Sequence, residues 1–144
     1  MGINFRLMTK NDLTFFNNVR NDSVEYLHNN TKFCIDDVKK WFKTTDNKYY
    51  IVSNGDDNIG YFRTSNWKNN SCYIGMDIEP INRGKGFAQI AYPIFMEYIF
   101  NTFKIKTFYL EVLKTNRRAI HIYKKIGFEV ISEDKENLKM IRKH

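Results

Sequence analysis

Apolar and polar residues alternate from the start of the chain. Ile3, Phe5 and Leu7 enclose Asn4 and Arg6, which predicts a strand with one buried face. The period then changes: Thr9 followed three residues later by Asp12 predicts a capped helix start, and Leu13, Phe16 and Val19 supply its buried stripe up to a stop at 20–23. Tyr26 and Leu27 place a short second helix near Ser23, and Ile35, Val38, Trp41 and Phe42 place another. Residues 49–53 and 59–63 read as the two arms of a hairpin around the turn Asn54-Gly55-Asp56-Asp57. A strand over 72–79 stops at Pro80, and Phe87, Ala88, Ala91, Ile94, Phe95, Tyr98 and Ile99 then recur at helical spacing. Pro93 falls inside that helix and predicts a kink, because an interior proline removes a hydrogen bond at a cost of about 3 kcal/mol. Residues 108–113 form the next strand, and Ala119, Ile120, Tyr123 and Ile126 mark a helix ended by Gly127. Strands over 128–131 and 139–142, joined across a charged turn at 133–137, close the chain.

Composition narrows the class. A chain of 144 residues with 42% apolar and 16% aromatic content reads as one domain with a single core. No run approaches the roughly 18 apolar residues of a membrane helix, and the first residues lack a signal-peptide layout, so a cytoplasmic protein with no membrane partner is expected. Cys34 and Cys72 match no metal spacing and are expected as buried thiols, and with His28, His121 and His144 scattered no metal site is expected. A net charge of +7 attracts phosphate, but the basic residues are dispersed in pairs such as Lys39-Lys40 and Arg117-Arg118. An acidic small substrate accounts for them as well as nucleic acid does, and nucleic acid is not the expected partner.

The chemistry concentrates at Arg83-Gly84-Lys85-Gly86-Phe87-Ala88, between the 72–79 strand and the following helix. Two glycines allow a tight turn and leave the first helical N–H groups uncovered, an arrangement that binds anions. A P-loop would require Ser or Thr after Gly84-Lys85, where Gly86 stands, and a Rossmann fingerprint would require a small residue at Gln89. The pattern Arg83, Gly86, Ala88 after an Ile-x-Pro strand end instead resembles the pyrophosphate-binding turn of the GNAT superfamily of acetyl-CoA-dependent N-acetyltransferases. Asn116, Ala119, Tyr123, Gly127 and Phe128 downstream resemble the second signature of that family, in the right order. The N-terminal third, with Arg20-Asn21-Asp22 and Trp41-Phe42, resembles the branch that contains ribosomal-protein and nucleotide-amino-sugar N-acetyltransferases.

The resemblance implies a single α/β (α+β) domain over 1–144: a mixed, mostly antiparallel sheet of six or seven strands, splayed in the middle and flanked by about four helices. It implies acetyl-CoA as acetyl donor and no metal. The backbone of Asp77, Ile78 and Glu79 would pair with the pantetheine arm and supply oxyanion donors. Arg83, Gly84, Lys85, Gly86, Phe87, Ala88, Gln89 and Ile90 would hold the pyrophosphate, and Asn116, Ala119 and Tyr123 would complete the cofactor site. A lysine-like amine has a pKa near 10.4, so roughly one molecule in two thousand is neutral at neutral pH, and a base is useful. Glu111 is the first candidate, expected to be partly desolvated between Leu110 and Val112, and Asp77 is the second. Tyr123 is placed to protonate the leaving thiolate. The family pattern is not complete, because many relatives carry Glu where this chain has Tyr73. Arg20, Asn21, Glu25, Tyr26 and His28 are the acceptor-binding candidates. The expected acceptor is a small primary amine such as a nucleotide-linked amino sugar, with a protein N-terminus as the alternative. A non-catalytic acyl-CoA-binding module is the alternative outside catalysis, and a monomer or homodimer is expected.

Overall fold

The computed structural model describes residues 2–23 and 32–144. The expected second helix at Tyr26 and Leu27, and the acceptor candidates Glu25, Tyr26 and His28, lie outside the described residues. Strand β1 (Ile3–Leu7) leads through a 3-10 turn at Lys10–Asp12 into α1 (Leu13–Asp22), and α2 (Ile35–Thr44) follows. The hairpin is β2 (Lys48–Asn54) and β3 (Asp57–Ser65), and β4 (Ser71–Ile78) carries the chain into the glycine turn and α3 (Phe87–Phe103). Strand β5 (Thr107–Leu113), helix α4 (Arg117–Lys125) and strands β6 (Glu129–Glu133) and β7 (Asn137–Lys143) complete it. A 3-10 turn at Pro80–Asn82, not foreseen in the sequence, lies between β4 and the glycines. Helix α3 is continuous through Pro93.

The seven strands form one sheet in the order β1-β2-β3-β4-β5-β7-β6. Only β4 and β5 run parallel, and they pair over three positions, Ser71↔Thr107, Cys72↔Phe108 and Tyr73↔Tyr109, before separating. Beyond Tyr73 the sheet is therefore open down its middle, the expected splay. Helix α3 covers one face, where Phe95 stacks on Phe62 at 4.0 Å between ring centroids and Tyr50, Ile99 and Phe108 join the same cluster. Helices α1 and α2 cover the other face at β2 and β3, where Phe16, Val19 and Val38 pack on Ile51 and Tyr61. Burial on both faces explains why β2 and β3 read as unbroken apolar runs rather than alternating ones. No described helix is long and apolar enough to cross a membrane.

The Thr9 to Asp12 signal is a real cap: the Thr9 N–H donates to Asp12 Oδ2 at 2.9 Å, and Arg6 adds two bonds of 2.7 Å to the same carboxylate. The Arg6 hydrogen bonds lower the Asp12 pKa, against the opposing effect of burial, with further help from Thr9. A carboxyl whose folded pKa lies below its unfolded value of about 3.9 contributes fully above that value and loses its contribution as pH falls through the folded value. Asp12→Ala is accordingly expected to cost about 1–2 kcal/mol near neutral pH. The deficit should shrink on acidification below about pH 4, which urea denaturation of both proteins at several pH values would measure.

Candidate active site

The splay places two spaces on either side of one residue. The first is a cleft of about 460 Å³ between the glycine turn, the end of β4 and α4. Gly86 is the N-cap of α3 at φ +83°, and no side chain caps this end, so the N–H groups of Phe87, Ala88 and Gln89 have no helical acceptor. Gly84, at φ +76°, shares the left-handed conformation that glycine adopts without strain. Together they direct free donors and the positive end of a 17-residue helix into the cleft. Asn116 closes the opposite wall as the N-cap of α4, its Oδ1 accepting from the Ala119 N–H at 3.3 Å.

Most of the cofactor residues expected from the sequence meet in this cleft: Asp77, Ile78, Arg83, Gly84, Gly86, Phe87, Ala88, Gln89, Asn116, Ala119 and Tyr123. Glu79, Lys85 and Ile90 do not line it. Glu79 spends its backbone groups internally, its N–H on Ile59 and its carbonyl on Asn82. The Arg83 guanidinium was expected beside the anion. It bonds the Ile78 carbonyl at 3.0 Å and Ser23 Oγ at 2.8 Å, and so ties the glycine turn to the end of α1. Ser23, Tyr92, Arg118 and His121 also line the cleft and were not foreseen. Their signal in the sequence is weak, since Arg118 and His121 read as solvated residues of a basic helix.

Tyr123 stands at the inner end of the cleft with its hydroxyl 3.4 Å from that of Tyr92, which donates to it. Burial raises the Tyr123 pKa, more than Tyr92 and Arg63 lower it. The phenol therefore stays protonated throughout the neutral range and has a proton to give.

The second space is a cavity of about 390 Å³ beneath α1 and α2. Its walls are aromatic: Phe16, Phe33, Trp41, Tyr49 and Tyr61, with Phe16 and Trp41 stacked at 5.4 Å. Arg20, Asp37, Arg63 and Asp77 are its charged residues. Arg20 is only 7% exposed and lies over the Phe33 ring at 3.7 Å. Asn21 does not line the cavity. It clamps Phe33 from both sides, its Nδ2 donating to the Phe33 carbonyl at 2.9 Å and its Oδ1 accepting from the Phe33 N–H at 3.0 Å.

Asp77 lines both spaces. It is 7% exposed, and its Oδ2 lies 3.3 Å from Arg63 Nε, close enough for an ion pair but out of alignment for a hydrogen bond. Burial pulls the Arg63 pKa down, but the Asp77 carboxylate and, less strongly, Tyr61, Tyr92 and Tyr49 together raise it by more, so the net shift is upward. Gly75, opposite Arg63 across the strands, leaves room for the guanidinium, since a Cβ there would fall 2.6 Å from Arg63 Nη2. Tyr61, the register partner of Asp77, has a buried hydroxyl that also lacks an aligned partner among the described residues. Buried polar atoms left in this state are uncommon in folded proteins, and a catalytic role or a bound group is among the reasons for them.

Glu111 differs from its expectation. It shares the sheet face of Tyr73 and Tyr109, but it is exposed rather than desolvated, lies opposite Lys139 on β7 and lines neither space. The alternation that buries Leu110 and Val112 against α3 is what turns Glu111 outward. Cys72 is buried with its pKa pushed up to about 12, whereas Cys34, expected to be buried, is exposed ahead of α2.

A sheet splayed between two parallel strands, with an uncapped helix terminus at the opening, is the architecture expected from the sequence, and comparison with known proteins agrees. The family model for the acetyltransferase (GNAT) domain matches residues 3–129, and the chain belongs to that family. Members of the family use acetyl-CoA as acetyl donor. The acetyltransferase PseH of Campylobacter jejuni (strain 81-176) is 30% identical over 99 residues, 69% of this chain and 62% of PseH. The spermidine N(1)-acetyltransferase of Escherichia coli (strain K12) is 45% identical over 56 residues, 39% of this chain and 30% of that enzyme. The matched part thus spans less than two thirds of either relative. Among solved structures, a dodecameric spermidine N-acetyltransferase from Vibrio cholerae superposes with a TM-score of 0.82 at 20% identity, covering 98% of this chain and 93% of that one. The Salmonella typhimurium protein yncA, solved with its cofactor acetyl-CoA, superposes at 0.79 with 13% identity, covering 99% and 94%. These likenesses establish the fold.

Proposed function

We propose that this chain transfers the acetyl group of acetyl-CoA to the primary amine of a small molecule, a nucleotide-linked amino sugar being the first acceptor to test. One observation carries the reading: Asp77, a buried carboxylate, borders both the cleft at the helix terminus and the aromatic cavity. The cleft fits the cofactor, since the free N–H groups of Phe87, Ala88 and Gln89 suit a pyrophosphate and Arg118 adds a cation beside Gly84. Acetyl-CoA, when bound, supplies an activated acetyl thioester.

This chain's own residues supply the rest. The aromatic walls exclude water and hold the acceptor against Asp77. Asp77 Oδ2, which has no aligned donor among the described residues, accepts a hydrogen bond from the incoming ammonium and then its proton. Tyr123 holds a proton on its hydroxyl for the departing thiolate, with Tyr92 orienting that hydroxyl. A cavity of about 390 Å³ suits a small ring better than an extended peptide. Spermidine, the acceptor named for the E. coli relative, is the competing small amine.

Thiol release from acetyl-CoA, measured with a panel of nucleotide amino sugars, simple amino sugars, spermidine and N-terminal peptides, tests the proposal. A small amine that raises turnover well above the acceptor-free rate supports it. Tight binding of coenzyme A without turnover of any amine favours a non-catalytic acyl-CoA-binding module. Turnover of peptides alone assigns the protein-acceptor role.

A further inference from the structure

We propose that Arg63 makes the aromatic cavity select a primary amine with a hydroxyl on the neighbouring carbon, the outer edge of its guanidinium holding the hydroxyl oxygen while the ammonium lies at Asp77. The inference rests on the acetyl-transfer reading above and deepens it. It names a specificity-determining residue and separates vicinal amino alcohols, accepted, from plain alkylamines, rejected.

Arg63 lines the cavity and not the cofactor cleft. Strand register sets it opposite Gly75, two residues along the ladder from the pair of Tyr61 and Asp77 and so on the same face of the sheet. A Cβ at Gly75 would fall 2.6 Å from Arg63 Nη2, 2.9 Å from Cζ and 3.4 Å from Nε. These three distances put that point directly above Nη2, so the planar guanidinium rests face-on over the glycine. Its N–H donors, which lie in that plane, therefore point along the sheet rather than into it.

The two edges of the guanidinium differ. Nε is sealed from solvent and lies 3.3 Å from Asp77 Oδ2. Nη1 and Nη2 make no hydrogen bond to the described residues, and unlike Nε they are not sealed from solvent, on a side chain that is 38% exposed. The space they reach is the cavity that Arg63 lines.

A carboxylate that accepts thus stands directly beside a fork that donates. Nε and the Nη pair share one carbon, so a nitrogen at Asp77 and an oxygen at the fork must be close together in the ligand as well. A hydroxyl on the carbon next to the amine meets that condition, and amino sugars with adjacent amine and hydroxyl groups carry one. A hydroxyl across a ring points away from the fork, and a plain alkylamine leaves the fork with no partner of its own. A hydrogen bond to a charged donor contributes about ten- to a hundredfold in affinity, and a site built for a hydroxyl discriminates against the analogue that lacks it.

Trp41 lines the cavity and Trp67 does not, so a ligand-induced change in tryptophan fluorescence reports on this space independently of catalysis. The probes are trans-2-aminocyclohexanol, trans-4-aminocyclohexanol and cyclohexylamine, titrated at pH 7, where all three are ammonium ions. Wild-type protein is expected to bind the 2-amino alcohol at least tenfold more tightly than either of the others. Arg63→Met is expected to abolish that preference and Arg63→Lys to keep part of it. Gly75→Ala retains the charge but displaces the guanidinium, the flexible end of a side chain, and is expected to reduce the preference as well. Circular dichroism and coenzyme A binding check the fold of each variant. Equal affinity of the wild type for the 2- and 4-amino alcohols overturns the inference. So does failure of all three probes to bind, or a preference that survives in Arg63→Met. The wild-type comparison decides even if a variant does not fold. Failure of the acetyl-transfer reading would show separately, as coenzyme A binding with no amine turned over.

Discussion

Tyr123→Phe is expected to lower kcat by about 10²- to 10³-fold, the usual worth of a positioned general acid, with affinity for coenzyme A unchanged. The ring of Tyr123 packs against Tyr92 and Phe128, and phenylalanine preserves those contacts. What is lost is the proton. Without it the departing thiolate, derived from a thiol of pKa about 8.5, must take a proton from water. Because burial keeps the wild-type phenol neutral, the native rate should show no decline from loss of this proton below about pH 10. The substitution also leaves the buried Tyr92 hydroxyl without its acceptor, for about 1 kcal/mol of stability. Steady-state kinetics beside a thermal melt separates the two effects. A kcat within about threefold of wild type would remove Tyr123 from the chemistry, since a general acid contributes far more than that.

Asp77→Asn carries the second large effect. It is isosteric and leaves the β3 to β4 pairing intact, but it removes the group assigned both to bind the ammonium and to accept its proton. The expected loss in kcat/KM is about 10²- to 10⁴-fold, partly recovered as pH rises and more of the amine is neutral on its own. Arg63 loses its counter-charge in the same variant. Its side chain is 38% exposed, so water replaces part of what is lost and the stability cost should stay near 1–2 kcal/mol. Glu111→Gln is the decisive companion. An exposed carboxylate opposite Lys139 is expected to matter much less, and a larger loss in Glu111→Gln than in Asp77→Asn would transfer the base to Glu111.

Much of this molecule is legible along the chain because its signals are local. The Thr9 cap, the alternation in β1, the glycines before α3 and the Asn116 start of α4 each depend on residues within a few positions of one another. Backbone sterics and neighbouring hydrogen bonds decide them whatever the rest of the protein does. The two family signatures are of the same kind, short stretches that build a helix terminus and its opposite wall. The hairpin of β2 and β3 was visible too, from its two strand-like runs on either side of the Asn54-Gly55-Asp56-Asp57 turn.

Beyond Arg20 and Asp77, which the family resemblance points to, the acceptor space was not legible, because it has no local signal. Phe16 and Arg20 come from α1, Phe33 from the approach to α2, Trp41 from α2, Tyr49 from β2, and Tyr61 and Arg63 from β3. Each alone reads as an ordinary core aromatic or surface cation. A charged Arg63 directly after the apolar run of β3 was a further hint, since most of that strand is buried on both faces. Strand register does the rest. Pairing Tyr61 with Asp77 and Arg63 with Gly75 sets a carboxylate, a phenol and a guanidinium on one face at the edge of the splay. The same two-residue alternation turns Glu111 outward against Lys139. Secondary structure follows from interactions a few residues long, whereas which side chains share a cavity follows from hydrogen-bond register between strands distant in the chain, and that is settled only when the sheet assembles.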